Sequence, residues 1–178
     1  SVDYEAAVQL AEKLVKENLA DTIIISGTTG EFFSMNFEER VKLFQIIKDA
    51  VGAEIPLIAG TACISTVETI QLTQAVEKIG YDTVMIASPY YTKPNQSEIF
   101  NHFKNVANAT GMYITLYNIP IFTGVNLNPE TVAKLSEIDN IVAIKEEAEL
   151  NPKQMTEFIN VTPENFVIYC GDDSMIIE

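Results

Sequence analysis

The segment MYITLYNIP (112–120) is followed by NPETVAKLSEI (128–138) and then by IVAIKE (141–146). The first and third stretches are short, apolar and rich in β-branched and aromatic residues, which is typical of strands. The middle stretch begins with Asn128 as a helix cap and Pro129 at the first helical position, which predicts a helix. These residues therefore predict one strand–helix–strand unit.

The same unit repeats along the whole chain. Its predicted strands begin about thirty residues apart, and each is almost continuously apolar, as expected when protein covers both faces of a sheet. The repeat predicts a parallel sheet with right-handed helical crossovers. The other predicted strands cover 21–26, 55–60, 81–88 and 165–173, and the other predicted helices cover 2–20, 36–52, 65–80, 96–111 and 151–160.

Two α/β architectures fit this repeat, a doubly wound open sheet and a TIM (β/α)8 barrel. The turn GTTGE (27–31) lacks the G-x-G-x-x-G spacing that usually follows the first strand of a doubly wound fold. Even spacing and polar residues after every strand favour the barrel. A closed barrel needs eight strands and about 250 residues. We therefore interpret 1–178 as a single partial barrel domain with six strands, the first and last strands missing.

Composition excludes several classes of partner. The chain has 178 residues and a net charge of −14, which argues against nucleic acid because phosphate binding needs clustered cations. It lacks the apolar run of a membrane span, and its opening residues lack the basic and apolar regions of a signal peptide. Cys63 and Cys170 are far apart in the sequence, and we expect reduced, buried thiols. These features predict a cytoplasmic protein.

In a barrel, the residues that follow the strands share one rim, where active sites gather. This set lacks histidine, and His102, the only histidine, falls inside a predicted helix, where we expect partial exposure. Histidine-based catalysis and a histidine-rich metal site are therefore disfavoured. The rim residues are Gly27–Glu31, Gly60-Thr61, Ser88–Tyr91, Tyr117-Asn118, Lys145-Glu146 and Gly171–Asp173.

Three rim features admit both a structural and a chemical interpretation. Lys145 is either a surface lysine paired with Glu146 or a lysine inside the barrel, where desolvation would favour the neutral amine that attacks a carbonyl. GTTGE (27–31) is either a turn whose glycines take unusual φ angles or a nest of backbone N–H groups for a small carboxylate. Tyr117 is either a buried tyrosine with a structural partner or a catalytic group.

Five motifs together carry a family resemblance. GTTGE (27–31), SPYY (88–91), YNIP (117–120), IKE (144–146) and GDD (171–173) occur in this order. Across the chain, this pattern resembles the superfamily of dihydrodipicolinate synthase and N-acetylneuraminate lyase, the Schiff-base pyruvate aldolases. The resemblance implies a carbon–carbon (oxo-acid) lyase that cleaves or forms a 2-keto acid, using pyruvate and an aldehyde. It also implies a covalent lysine–pyruvate imine without a metal or bound cofactor.

The resemblance also implies roles for individual residues. Lys145 corresponds to the Schiff-base lysine and Tyr117 to the tyrosine that transfers protons. The segment Thr28-Thr29-Gly30 corresponds to the carboxylate-binding residues, with Thr28 also linking the tyrosines in a proton relay. Tyr91 corresponds to the relay tyrosine that tetrameric members contribute to a neighbouring subunit. A homodimer or homotetramer is therefore expected.

One departure from the family pattern concerns the electrophile. Phe122 stands where members that make dihydrodipicolinate usually carry an arginine for the carboxylate of aspartate semialdehyde. Phenylalanine cannot pair with a carboxylate, so this residue favours a lyase acting on another aldehyde. The alternatives are a 4-hydroxy-tetrahydrodipicolinate synthase that condenses pyruvate with aspartate semialdehyde, and a barrel that binds without catalysis.

Two other departures lie near the rim. Glu147-Ala148-Glu149 replaces the small, polar residues that usually follow the lysine motif. We expect these carboxylates to repel acidic distal groups of a substrate. Phe32 and Phe33 follow the GTTGE turn and are most simply explained by core packing.

Overall fold

A computed structural model describes residues 1–148 and 152–175. Every strand and helix predicted from the sequence is present. The strands are β1 Ile23–Ile25, β2 Leu57–Gly60, β3 Thr83–Ala87, β4 Tyr113–Asn118, β5 Ile141–Glu146 and β6 Val167–Cys170. The helices are α1 Tyr4–Lys16, α2 Phe37–Val51, α3 Thr66–Ile79, α4 Gln96–Ala107, α5 Pro120–Thr123, α6 Pro129–Ser136 and α7 Pro152–Val161, with 3₁₀ turns at Phe32–Ser34 and Asp173–Met175. The sequence does not predict the short α5 or the 3₁₀ turns, and the first residues of α5 and of the second turn, Pro120 and Asp173, fall at the ends of predicted strands.

The six strands form one sheet in the order β1-β2-β3-β4-β5-β6, and every neighbouring pair is parallel. A doubly wound sheet would reverse its strand order at a switch point. Consecutive parallel neighbours joined by right-handed crossovers instead place all connecting helices on one face, as in a TIM barrel. The barrel prediction is confirmed for the described residues.

The core lies between the helices and the outer face of this sheet. Each main connecting helix contributes a fully buried side chain, namely Phe44, Leu72, Phe103, Leu135 and Phe158. The opposite face of the sheet becomes the barrel interior. Because side chains alternate between the two faces along a strand, each strand sends every second residue to the core and the others towards the interior. None of the described helices is long and apolar enough to cross a membrane.

His102 corrects one expectation from the sequence. It lies in a helix, as predicted, but its side chain is only 4% exposed rather than partly exposed. It shares the inner face of α4 with Ile99 and Phe103, and its Nδ1 lies 2.9 Å from the Thr66 hydroxyl. Burial lowers the pKa of His102 from 6.5 to about 4, because the charged imidazolium loses its hydration.

This burial predicts an acid-sensitive fold. The pKa of this histidine is lower in the folded state than in the unfolded chain. Its contribution to stability is therefore complete above the unfolded-state pKa and is lost as the pH falls towards the folded-state pKa. Lowering the pH from 7 to 5 should therefore reduce the free energy of unfolding by about 2 kcal/mol through His102. Urea unfolding of the natural protein and of His102→Gln would measure this. If the free energy of unfolding depended equally on pH in both proteins, His102 would not be the cause of the acid sensitivity.

The cysteines also differ from expectation. Both thiols are free, but Cys63 is only half-buried and Cys170 is exposed. Cys170 ends β6, which has a neighbouring strand on one side only within the described part of the chain. The expectation of buried thiols was therefore wrong for Cys170, because none of the described strands pairs with the outer edge of β6.

Candidate active site

A cavity of about 900 Å³ opens at the carboxyl ends of the strands. Residues that follow β1, β3, β4, β5 and β6 meet there, as expected for a barrel rim. The polar and charged lining includes Thr28, Thr29, Glu31, Tyr90, Tyr117, Lys145 and Glu147.

Lys145 and Tyr117 lie side by side in this cavity. They are paired in the register between β5 and β4, so their side chains share one face of the sheet, and both line the cavity on the interior side. The Lys145 ammonium donates to the Tyr117 hydroxyl at 3.3 Å, and its Nζ lies 4.3 Å from the centre of the Tyr117 ring. The Lys145 side chain is 26% exposed. Lys145 is therefore an interior residue with access to the cavity, not a lysine paired with Glu146.

Glu146 points to the opposite face, because adjacent strand residues alternate. It is fully buried and accepts hydrogen bonds from the Asn118 amide at 2.9 Å, the Ala148 N–H at 2.8 Å and the Gln154 amide at 3.2 Å. Burial raises the pKa of Glu146, although the bond from Asn118 opposes this. The side-chain oxygen Oδ1 of Asn118 in turn accepts from the Leu127 N–H at 3.0 Å. This network fixes the ends of β4 and β5 behind the reactive face.

Glu147 is a member of the site that the sequence did not place in contact with the lysine. Its Oε2 lies 3.0 Å from Lys145 Nζ and accepts from the Tyr117 hydroxyl at 2.5 Å. The sequence could have predicted this contact, because Glu147 is two positions after Lys145 and residues two apart in an extended segment face the same side. Of the two carboxylates predicted to lie near the rim, Glu147 lies in the cavity and Glu149 is outside the described residues.

The hydroxyl of Tyr117 is held in its protonated form. Burial raises the pKa of Tyr117 well above its usual range, and the hydrogen bond to Glu147 raises it further, while Thr28 acts in the opposite direction. A phenolate in this position would lose hydration and face a carboxylate. Tyr117 therefore keeps its proton at neutral pH and can donate it to a more basic oxygen, such as a developing alkoxide.

The GTTGE turn has a different backbone from the one expected. The residues with positive φ are Ser26 at 63° and Glu31 at 53°, not Gly27 or Gly30. The Gly30 N–H donates to the Gly27 carbonyl at 3.1 Å, and a Cβ on Gly30 would lie 3.3 Å from that oxygen. The glycine is thus favoured by a close approach of the backbone, rather than by a left-handed conformation.

Two backbone donors of this turn remain available. The N–H groups of Thr28 and Thr29 donate no backbone hydrogen bond within 1–148 and 152–175. Both residues line the cavity, and both carry hydroxyls. The predicted contribution of Gly30 stays a prediction, with its N–H engaged in the turn.

Tyr91 lies outside the cavity and is 86% exposed, with a positive φ of 73°. The tyrosine of this loop that lines the cavity is Tyr90. Among the sequence-predicted site residues, the structure therefore brings together Lys145, Tyr117 and Thr28, with Thr29 on the same cavity, and leaves Tyr91 at the surface. Its predicted role in a neighbouring subunit stays a prediction.

Three phenylalanines add an apolar wall to the cavity. Phe32, Phe33 and Phe122 all line it, and Phe33 and Phe122 are 65% and 66% exposed. Phe32 contacts the Arg40 guanidinium, whose centre lies 5.3 Å from the ring. The core-packing explanation is wrong for Phe33, because the 3₁₀ turn at Phe32–Ser34 holds it at the cavity surface.

The chain is similar to known proteins along its whole length. The model of the "Dihydrodipicolinate synthetase family" matches residues 1–178. The chain is 46% identical to a 4-hydroxy-tetrahydrodipicolinate synthase of Desulforudis audaxviator, covering 98% of this chain and 60% of that protein. A protein of the same name from Oceanobacillus iheyensis is 42% identical, with 99% and 59% covered. The chain thus spans about three fifths of the length of these relatives.

Solved structures show the same fold. Dihydrodipicolinate synthase from Aquifex aeolicus superimposes with a TM-score of 0.94 at 39% identity, over 98% of this chain and 59% of that one. A pyruvate complex of the Acinetobacter baumannii enzyme gives a TM-score of 0.92 at 35% identity, over 97% and 59%. With the full-length family match, this similarity places the chain in the dihydrodipicolinate synthetase family.

Proposed function

We propose that this chain carries a Schiff-base site for pyruvate. The observation that carries the proposal is the Lys145 amine 3.3 Å from the Tyr117 hydroxyl inside an open cavity. The neutral amine attacks the keto carbon, and Tyr117 supplies a proton to the oxygen. The protonated imine then acts as an electron sink, so that a carbanion at the adjacent carbon becomes an enamine. This chemistry relies on the lysine imine rather than on a metal.

The GTTGE turn is proposed to bind the carboxylate of pyruvate. The N–H groups of Thr28 and Thr29, which donate no backbone hydrogen bond among the described residues, and the two hydroxyls supply donors on one side of the cavity. Backbone donors of this kind form anion-binding concavities. The net charge of −14 does not oppose such binding, because exposed charges are screened beyond about 8 Å at physiological salt.

For the second substrate, we propose aspartate semialdehyde, which makes the activity that of a 4-hydroxy-tetrahydrodipicolinate synthase. The support is the name shared by relatives with 46% and 42% identity and the pyruvate found in a structural relative. We further propose that the protein forms homodimers or homotetramers in which the exposed Tyr91 reaches the site of a neighbouring copy.

A second candidate is an aldolase or lyase that uses an aldehyde without a carboxylate. Phe122 favours this candidate, because it lines the cavity with an apolar ring where a carboxylate would need a cation. A rate comparison with pyruvate and a panel of aldehydes would separate the two. Fastest turnover with aspartate semialdehyde supports the synthase, and fastest turnover with a neutral aldehyde supports the second candidate.

Phe122→Arg tests the role of this position directly. We expect it to increase kcat/KM for aspartate semialdehyde by about tenfold, the lower end of the about 1.5–3 kcal/mol that a charge-assisted hydrogen bond contributes, because the position is exposed and solvent screens the pair. Ile121→Arg is the matched control, because Ile121 is also exposed but does not line the cavity. An equal gain in both variants would show that general charge attraction is responsible.

A further inference from the structure

Glu147 lies where the proposed imine would form. One oxygen of its carboxylate contacts both Lys145 Nζ, at 3.0 Å, and the Tyr117 hydroxyl, at 2.5 Å. With the 3.3 Å contact between Lys145 and Tyr117, the three groups form a closed triangle. The Glu147 side chain is 20% exposed, so the triangle remains open to the cavity.

We propose that Glu147 is a catalytic residue that takes a proton from the Lys145 ammonium and later delivers it to the oxygen of the departing water. The inference rests on the proposed function, because it requires imine formation at Lys145. It assigns Glu147 to the proton transfers that precede carbon–carbon chemistry, whichever aldehyde follows.

The proton balance closes without another reactant. The Lys145 ammonium begins with three protons, and Glu147 begins as a carboxylate. A carbon–nitrogen bond forms between Nζ and the keto carbon, and the carbon–oxygen bond of the resulting carbinolamine breaks. Two ammonium protons leave with that oxygen as water, and the third remains on the iminium nitrogen. Glu147 returns to the carboxylate form.

Neighbouring groups are less suited to this task. Glu146 is fully buried on the other face of β5, where three hydrogen-bond donors engage it. Tyr117 already carries its proton, since burial and Glu147 raise its pKa. The other titratable groups facing the cavity are Glu31 and Tyr90. In the described part of the chain, Glu147 is the carboxylate that contacts the reacting amine.

A competing interpretation makes the opposite prediction. If the ion pair only holds Lys145 as an ammonium, then removing Glu147 should accelerate imine formation. If Glu147 transfers protons, then removing it should slow imine formation, and the deficit should shrink at higher pH, where hydroxide competes as a proton acceptor.

The test is the rate at which the complete protein forms a borohydride-trapped pyruvate adduct, measured at saturating pyruvate. We expect Glu147→Gln and Glu147→Ala to slow this rate by about tenfold or more at pH 7, with a smaller deficit near pH 9, because general acid–base groups contribute about 10²–10⁴-fold. Glu147→Asp should recover part of the rate. Added formate should accelerate Glu147→Ala, which leaves space for it, and not Glu147→Gln.

The control is Glu12→Gln, which removes the same charge at an exposed position of α1 and should leave the rate unchanged. Rates in both Glu147 variants that equal or exceed the natural rate, with an unchanged pH profile, would overturn the proposal. Absence of any adduct in the unsubstituted protein would instead overturn the proposed function. Unfolding midpoints measured for each variant would distinguish a lost proton transfer from a lost fold.

Discussion

Replacing Lys145 with arginine is expected to abolish the pyruvate adduct and to lower turnover by at least about 10⁴-fold, because no other group can replace the nucleophile of a covalent mechanism. Arginine keeps the positive charge beside Glu147 and Tyr117. Its guanidinium remains protonated under all ordinary conditions, so it cannot attack a carbonyl. The substitution therefore separates the need for a nucleophile from the need for a charge.

The matched control is Lys134→Arg, because Lys134 is exposed on α6 and lies outside the cavity. It should keep full activity and adduct formation. Turnover of Lys145→Arg within tenfold of the natural protein would show that the proposed imine is not formed on this residue.

Tyr117→Phe is expected to reduce kcat by about 10²–10³-fold while the fold is retained, in line with the contribution of a single acid–base group. The change removes the hydroxyl that lies 3.3 Å from Lys145 Nζ and 2.5 Å from Glu147. The aromatic ring and its contact with the ammonium remain. Loss of activity would therefore reflect the missing proton donor rather than missing packing.

The size of the change in kcat decides whether Tyr117 acts as a proton donor. The natural tyrosine has a raised pKa, so its proton is present throughout the neutral range. A variant whose kcat stays within about threefold of the natural value would contradict the role of Tyr117, since an effect below 1 kcal/mol is too small for a general acid.

Much of the fold could be predicted because it depends on repeated local patterns. Strands such as β4 and β5 are short apolar runs bounded by helix-start signals, and their even spacing implies a barrel. The same logic places Lys145 and Tyr117 at one rim, because parallel strands end on the same side of a sheet. The structure adds that they are register partners.

Other features depend on contacts between distant segments of the chain, so local sequence patterns could not predict them. The burial of His102 follows from the packing of α4 against Thr66 at the start of α3. The positive φ angles fall on Ser26 and Glu31, whereas the sequence pattern pointed to the nearby Gly27 and Gly30. The contact of Glu147 with Tyr117 joins residues thirty positions apart.

The most direct measurement is the mass of the complete protein after incubation with pyruvate and borohydride, followed by peptide mapping. Reduction of the imine should add the mass of one pyruvic acid less one oxygen atom, and the added mass should map to Lys145. An unchanged mass in folded protein, or an adduct mapped to another lysine, would contradict the proposal of a Schiff-base site at Lys145.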